Sequence, residues 1–288
     1  MFTWDSIDNF AMDGESCKNF LIGLLIHELN YKFIKKKLMK RKNYHFLFFL
    51  FFVSWSLCWG QTSREYEVTA PGGLESLVSS EKNTITDLTL TGTLNAADFA
   101  TIRSMAALQN LNLEKANLVD NTLPNSAFYG KKINNLWLPK TLENVEAHAF
   151  SSSNIKSLDF SKSPNLSKIG YYAFQNLILT NGNTLDFSHN PKLSNFPLSP
   201  DRNEPRSAFC NFKGEVILPN ELKVLPNNLF VGFSGKIHLP EELEEIQNYV
   251  FASVDGTDNY SIESLDFSKS PNLSKIGYYA FLNLILTN

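Results

Sequence analysis

The sequence predicts an α/β solenoid, mostly β, with a parallel sheet on its concave face and a short-helix or irregular convex side. Two observations carry this. Residues 157–181, SLDFSKSPNLSKIGYYAFQNLILTN, recur as residues 264–288 with one change, Gln175 against Leu282. A near-identical internal copy marks an array of like units. Between the copies a weaker pattern repeats. Its first half is a bulky residue, two spacers, an apolar residue, one spacer and an apolar residue. Examples are Ile85–Leu88–Leu90, Leu108–Leu111–Leu113, Ile133–Leu136–Leu138, Ile155–Leu158–Phe160 and Ile262–Leu265–Phe267. Its second half ends on Phe, as in Leu142–Val145–Phe150, Leu166–Ile169–Phe174, Leu222–Leu225–Phe230, Leu243–Ile246–Phe251 and Leu273–Ile276–Phe281.

Each half has a direct physical reading. Alternation such as Leu136-Trp137-Leu138 sends two side chains to one face and one to the other, which is a short strand. A single strand has no partner inside its own unit, so strands of successive units stack in parallel. The second half crosses the opposite side and turns its Leu, Ile and Phe back into the core. Every unit then buries its apolar face only against its neighbours, and stability approaches a nearest-neighbour sum. Pro139, Pro219 and Pro240 follow their strands directly, where a missing N–H ends the ladder.

In chain order, residues 1–38 read as a non-native or unstructured extension, because the export signal that should open a chain begins only at Met39. Residues 39–60 read as a signal peptide. Lys40, Arg41 and Lys42 form a basic start, residues 46–53 are wholly apolar, and Cys58 and Gly60 are small residues ahead of a cut before Gln61. The apolar run of about 14 residues is short of the roughly 20 that cross a bilayer, so no membrane span is expected after cleavage. An uncleaved anchor is the alternative. Residues 61–84 read as an N-terminal cap with a Gly72-Gly73 turn and a short helix over 74–80. Residues 85–288 are the repeats, the last incomplete. Within them, 94–107 have helical spacing, 199–206 and 254–261 are polar loops, and 282–288 are expected to fray or to pair with another molecule.

Composition excludes some functions. The chain carries 26 Lys/Arg and 29 Asp/Glu, and residues 61–288 hold 18 and 24 of them, a net charge of −6. Nucleic acid is therefore not an expected partner, since phosphate binding needs a basic stripe. Of Cys17, Cys58 and Cys210 only Cys210 survives the cleavage, which leaves no internal disulfide framework. His148, His189 and His238 lie in separate units, and ligation needs clustered ligands. No metal or cofactor is expected.

The segments LWLPKTLENVEAHAF (136–150), VILPNELKVLPNNLF (216–230), IHLPEELEEIQNYVF (237–251) and the two IGYYAF stretches resemble the BspA-like leucine-rich-repeat family. So does ITDLTLTGTLNAADFATIRSMAALQNLNLEKANL at 85–118, and the similarity covers about 65–288. The resemblance implies a right-handed leucine-rich-repeat solenoid, secreted or on a bacterial surface, that adheres to host extracellular-matrix proteins or to other cells. It supplies no catalytic motif. The chain departs from the family in lacking a Cys after most Ala-Phe pairs and in showing no surface anchor after the repeats.

The middle residue of each strand should point outward: Thr89, Asn112, Trp137, Asp159, Asp186, Ile217, His238 and Asp266. Trp137, Asp159, Asp186, His238 and Asp266 are the candidate binding residues. An exposed Trp is an interface anchor, or packs on its strand neighbours. Adjacent strands lie about 4.8 Å apart, so Asp159 and Asp186 are expected to face each other. They would then be solvated or bonded to Ser, share a cation, or act as a carboxylate pair of the glycosidase kind. With no cleft to exclude water, no enzyme activity is expected. The expected function is a protein-binding module, an adhesin. The alternatives are a structural spacer in a larger surface protein and, more remotely, a glycan-acting enzyme.

Overall fold

The structure is a computed structural model that describes residues 62–200, 206–253 and 260–287. The proposed extension and signal peptide lie outside these residues, as do parts of both polar loops. The chain forms two compact units, one of residues 1–64 with 85–87, the other of residues 65–84 with 88–288. In the first, Thr86 N–H and Asp87 N–H both donate to Thr62 O (3.0 and 3.1 Å), and Thr62 N–H donates to Thr86 Oγ1 (2.8 Å).

The N-terminal part of the second unit carries helix α1, Leu74–Val78, and helix α2, Ala96–Ser104. Asp98 clasps them. Fully buried, it accepts Gly72 N–H (2.7 Å) and Asn95 N–H (2.8 Å) on one oxygen and Leu74 N–H (2.9 Å) on the other. Asn95 Oδ1 accepts Ala97 N–H (2.8 Å) and Asp98 N–H (3.4 Å), the second of which completes the capping box of α2. At the other end of α2, the buried Lys131 ammonium donates to the carbonyls of Arg103 and Met105. A cation there satisfies terminal carbonyls and the helix dipole together.

From Asn110 onward the chain is a parallel β-solenoid. Strand Asn110–Asn112 pairs in parallel with Asn135–Trp137. Thr184–Asp186, Lys213–Ile217, Ser234–His238, Ser261–Ile262 and Ile285–Leu286 form a five-stranded sheet in chain order, parallel throughout. The segment expected to fray therefore contributes Ile285–Leu286 to this ladder.

The other side of each coil carries ladders of its own. Two-residue strands at Thr122–Leu123, Asn144–Val145 and Lys168–Ile169 stack in parallel, as do Val224–Leu225, Glu245–Ile246 and Lys275–Ile276. These hold the residues that the pattern assigned to the outer crossing. Two expected strands are absent: residues 157–160 and their copy at 264–267 join no ladder, though Leu158 and Phe160 are buried as their alternation requires. Alternation reports burial, whereas a ladder also needs a neighbour in register.

The core is a column of phenylalanines. Phe99 meets Phe128 edge to face (5.6 Å), and Phe128, Phe150, Phe174, Phe209, Phe230, Phe251 and Phe281 follow as consecutive stacked pairs at 5.1–5.7 Å. Offset stacking at this spacing suits the ring quadrupole. It matches the rise per coil, so one Phe per unit makes a continuous spine.

Turns around each Phe hold the spine in place. N–H groups donate alternately to the next coil and back within their own. Phe150 N–H reaches Ala173 O (2.9 Å) and His148 N–H reaches Tyr171 O (3.1 Å), while Ser153 N–H returns to Phe150 O (3.2 Å). This alternation puts the residue two before the Phe in the left-handed region: Ser126, His148, Tyr172, Asn228, Tyr249 and Tyr279 all have φ of 52–58°. Coils approach so closely that a Cβ on Gly170 would lie 2.5 Å from Ala147 N, and one on Gly277 2.5 Å from Gln247 C.

Candidate functional site

The main ladder aligns part of the predicted row. Asn112 pairs with Trp137, and Asp186, Ile217 and His238 form one continuous file. Asp159 and Asp186 are not ladder partners: Asp159 lies in the unpaired 157–160 stretch, and Ile217 stands opposite Asp186. Asp266 also lies outside a strand.

The aspartates are spent on their own turns. Asp159 accepts Ser161 N–H (2.9 Å), Asp186 accepts Ser188 N–H (2.8 Å) and Asp266 accepts Ser268 N–H (2.9 Å). Each is an Asx turn at a Leu-Asp-Phe-Ser sequence. The Ser268 hydroxyl and N–H, with Lys269 nearby, hold the Asp266 carboxyl below its ordinary range. All three carboxylates remain exposed.

His238 is tied to a residue the sequence reading did not single out. Its Nε2 lies 2.6 Å from Glu215 Oε1. Thr184 Oγ1 donates to the other Glu215 oxygen (3.2 Å), and Lys236 Nζ is 3.5 Å away. The hydrogen bond from His238 is the main cause holding the Glu215 carboxyl below its ordinary range. The register explains the cluster, since Thr184, Glu215 and Lys236 are successive ladder partners one step before the Asp186–Ile217–His238 file. A signal existed in the sequence: Glu215 and Lys236 each stand two residues before a predicted row position.

Trp137 is the largest apolar group exposed on this face, at 42 %. Amides surround it. Asn135 Nδ2 donates to Asn110 Oδ1 (2.6 Å), and Asn112 Oδ1 accepts Glu114 N–H (2.9 Å). Glu114 lies 3.5 Å from both Lys140 and Lys162, which hold its carboxyl below the usual range. The patch is an aromatic ring in a rim of amides, with one carboxylate held between two lysines.

The remaining histidines and the cysteine serve locally. His148 stacks on Tyr172 at 5.1 Å, and burial lowers its pKa. His189 Nδ1 lies 3.1 Å from Ser188 Oγ. Cys210 is buried, and its thiol donates to Asn211 Oδ1 (3.5 Å). Among the described residues no group of three or more His, Cys, Asp or Glu could hold a metal ion, and no helix is long and apolar enough to cross a membrane.

These features define a class: a parallel β-solenoid repeat protein with stacked short-strand ladders and one spine phenylalanine per coil. A family model described as BspA type leucine rich repeat region matches six copies over residues 121–194 and 205–288. The chain belongs to this BspA-type leucine-rich-repeat family. No curated protein and no solved structure matches it.

Proposed function

We propose that the chain is a secreted or cell-surface protein-binding module, an adhesin that contacts host matrix protein or a cell-surface ligand through its strand face. Exposure of Trp137 within a rim of amides carries this reading, because aromatic anchors dominate interface energy when a partner buries them. Asp159, Asp186, His238 and Asp266 would flank the anchor as polar contacts. Export would follow from the signal read at residues 39–60.

The repeat family supports a scaffold role rather than catalysis, since such solenoids present extended surfaces. Retaining glycosidase chemistry wants a pair of carboxyls about 5–5.5 Å apart flanking a bound sugar, whereas Asp159 and Asp186 each accept the Ser N–H of their own turn and stand exposed.

Solid-phase binding to immobilised matrix proteins tests the proposal. Trp137→Ala is expected to weaken binding at least tenfold, equivalent to about 1.4 kcal/mol. Binding undiminished by Trp137→Ala removes that residue from the site. No binding to any matrix protein or cell surface favours the spacer alternative.

A further inference from the structure

The turns that close the main-ladder strands carry exposed charges in an ordered row. Successive turns fall at residues 139–142, 163–166, 190–193, 219–222, 240–243 and 270–273. Hydrogen bonds set them side by side. Ser163 Oγ donates to Pro139 O (2.9 Å), Asn190 Nδ2 to Ser163 O (2.8 Å), Glu242 N–H to Asn220 O (3.0 Å) and Ser270 Oγ to Pro240 O (2.7 Å). Phe187 N–H to Ile217 O (2.9 Å) carries the stack across the middle.

Along this edge the first and third turns expose Lys140 and Lys192, Lys162 is exposed immediately before the second, and the next two expose Glu221, Glu241 and Glu242. Lys269 follows beside the last. Some of this charge is already engaged. Glu114 lies 3.5 Å from both Lys140 and Lys162, and Lys192 donates to Asn165 Oδ1 (2.7 Å). The Lys223–Glu244 pair (2.8 Å) lies on the neighbouring ladder. The row still reads basic, then acidic.

That order selects a partner. A binding partner of one sign is attracted by half of the row and repelled by the other half. A two-fold axis through the middle of the row instead sets Lys192 against Glu221, and Lys162 against Glu241 and Glu242, of a second copy. Symmetry then repeats each contact. At the ends Lys140 meets Lys269, a like-charge contact softened by Glu114. We infer that this edge is a self-association surface whose occupant is a second copy of the chain, lying antiparallel along the row. Electrostatic complementarity fixes the register. The edge adjoins the strand face proposed to bind matrix protein and shares Lys140 and Lys162 with the rim of the Trp137 patch.

Sedimentation velocity on the full chain tests this by charge swapping. At about 0.01 M salt the Debye length is about 30 Å and association is expected; at about 1 M it is about 3 Å and the dimer should dissociate. Glu221→Lys/Glu241→Lys/Glu242→Lys and Lys162→Glu/Lys192→Glu should each weaken self-association about tenfold or more at low salt. Mixed together, the two variants should form a one-to-one dimer. A chain carrying both sets should associate like the parent. These are exposed surface positions, so folding is expected to survive, and circular dichroism checks it. A parent that stays monomeric at low salt overturns the inference. So do variants that associate as well as the parent, or a mixture that does not.

Discussion

A tyrosine at φ 57° is an unusual choice, and Tyr249 shows what it costs and gains. The left-handed conformation costs a non-glycine residue about 1–2 kcal/mol. The ring recovers part of this by packing on Tyr279 at 5.4 Å, a contact worth about 0.5–1.5 kcal/mol. Asn228 fills the same position one coil earlier at φ 58°. Tyr249→Asn should therefore be close to neutral in urea unfolding. Tyr249→Ala keeps the backbone strain and loses the ring, and should destabilise by about 0.5–1.5 kcal/mol. Asp98→Ala leaves three N–H groups without their acceptor in a buried site, with an expected loss of about 3 kcal/mol or more. Acid titration tests Glu215. Its folded pKa is lowered, so the stability it contributes is present above the unfolded value of about 4.3 and is lost as pH falls through the folded value. Glu215→Gln should flatten that acid limb. Lys131 has the opposite sign at high pH. Burial lowers its pKa, the unfolded chain holds more protons, and stability gains from this group as pH rises between the folded and unfolded values.

Among elements, the repeat unit was legible because its signals are periodic. The Leu-x-Leu and Leu-x-x-Ile-to-Phe spacings located the strands and the spine. The Asn, Gly and Ser found two residues after Phe could also have marked the second left-handed position, at Gly130, Ser152, Asn176, Asn211, Gly232 and Asn283. The break at residues 157–160 was not legible, since Leu158-Asp159-Phe160 alternates as well as any true strand. Nor was the Glu215–His238 pair, because register between coils depends on the length of each outer crossing. Phe230→Ala should cost about 3–5 kcal/mol, since it removes two stacked partners, Phe209 and Phe251. Gly170→Ala forces a methyl group onto the backbone of the preceding coil and should destabilise by about 2 kcal/mol or more, measured by thermal unfolding.

At the scale of the solenoid, the two copies form an internal experiment. Leu166, Ile169 and Phe174 are fully buried in the first, whereas Ile276 is 54 % exposed in the second. The difference is one of neighbours: described coils flank residues 157–181 on both sides and residues 264–287 on one. Backbone ladders persist in both, so side-chain burial separates them. Amide exchange should open residues 264–287 well before residues 157–181, with Gln175 and Leu282 distinguishing the peptides by mass. Equal protection would mean that the units are not coupled chiefly through nearest neighbours. Both candidate surfaces, the strand face around Trp137 and the charged edge, exist only because coils stack in a fixed order.

Spacing alone determined the repeat, the parallel stacking and the phenylalanine core, because each follows from short-range periodicity that any unit satisfies by itself. Only the tertiary structure decided which acidic and basic groups meet, which expected strands fall out of their ladder and how charges align along the edge. Those outcomes depend on the offset between one coil and the next, and that offset accumulates from loop lengths that carry no periodic signal.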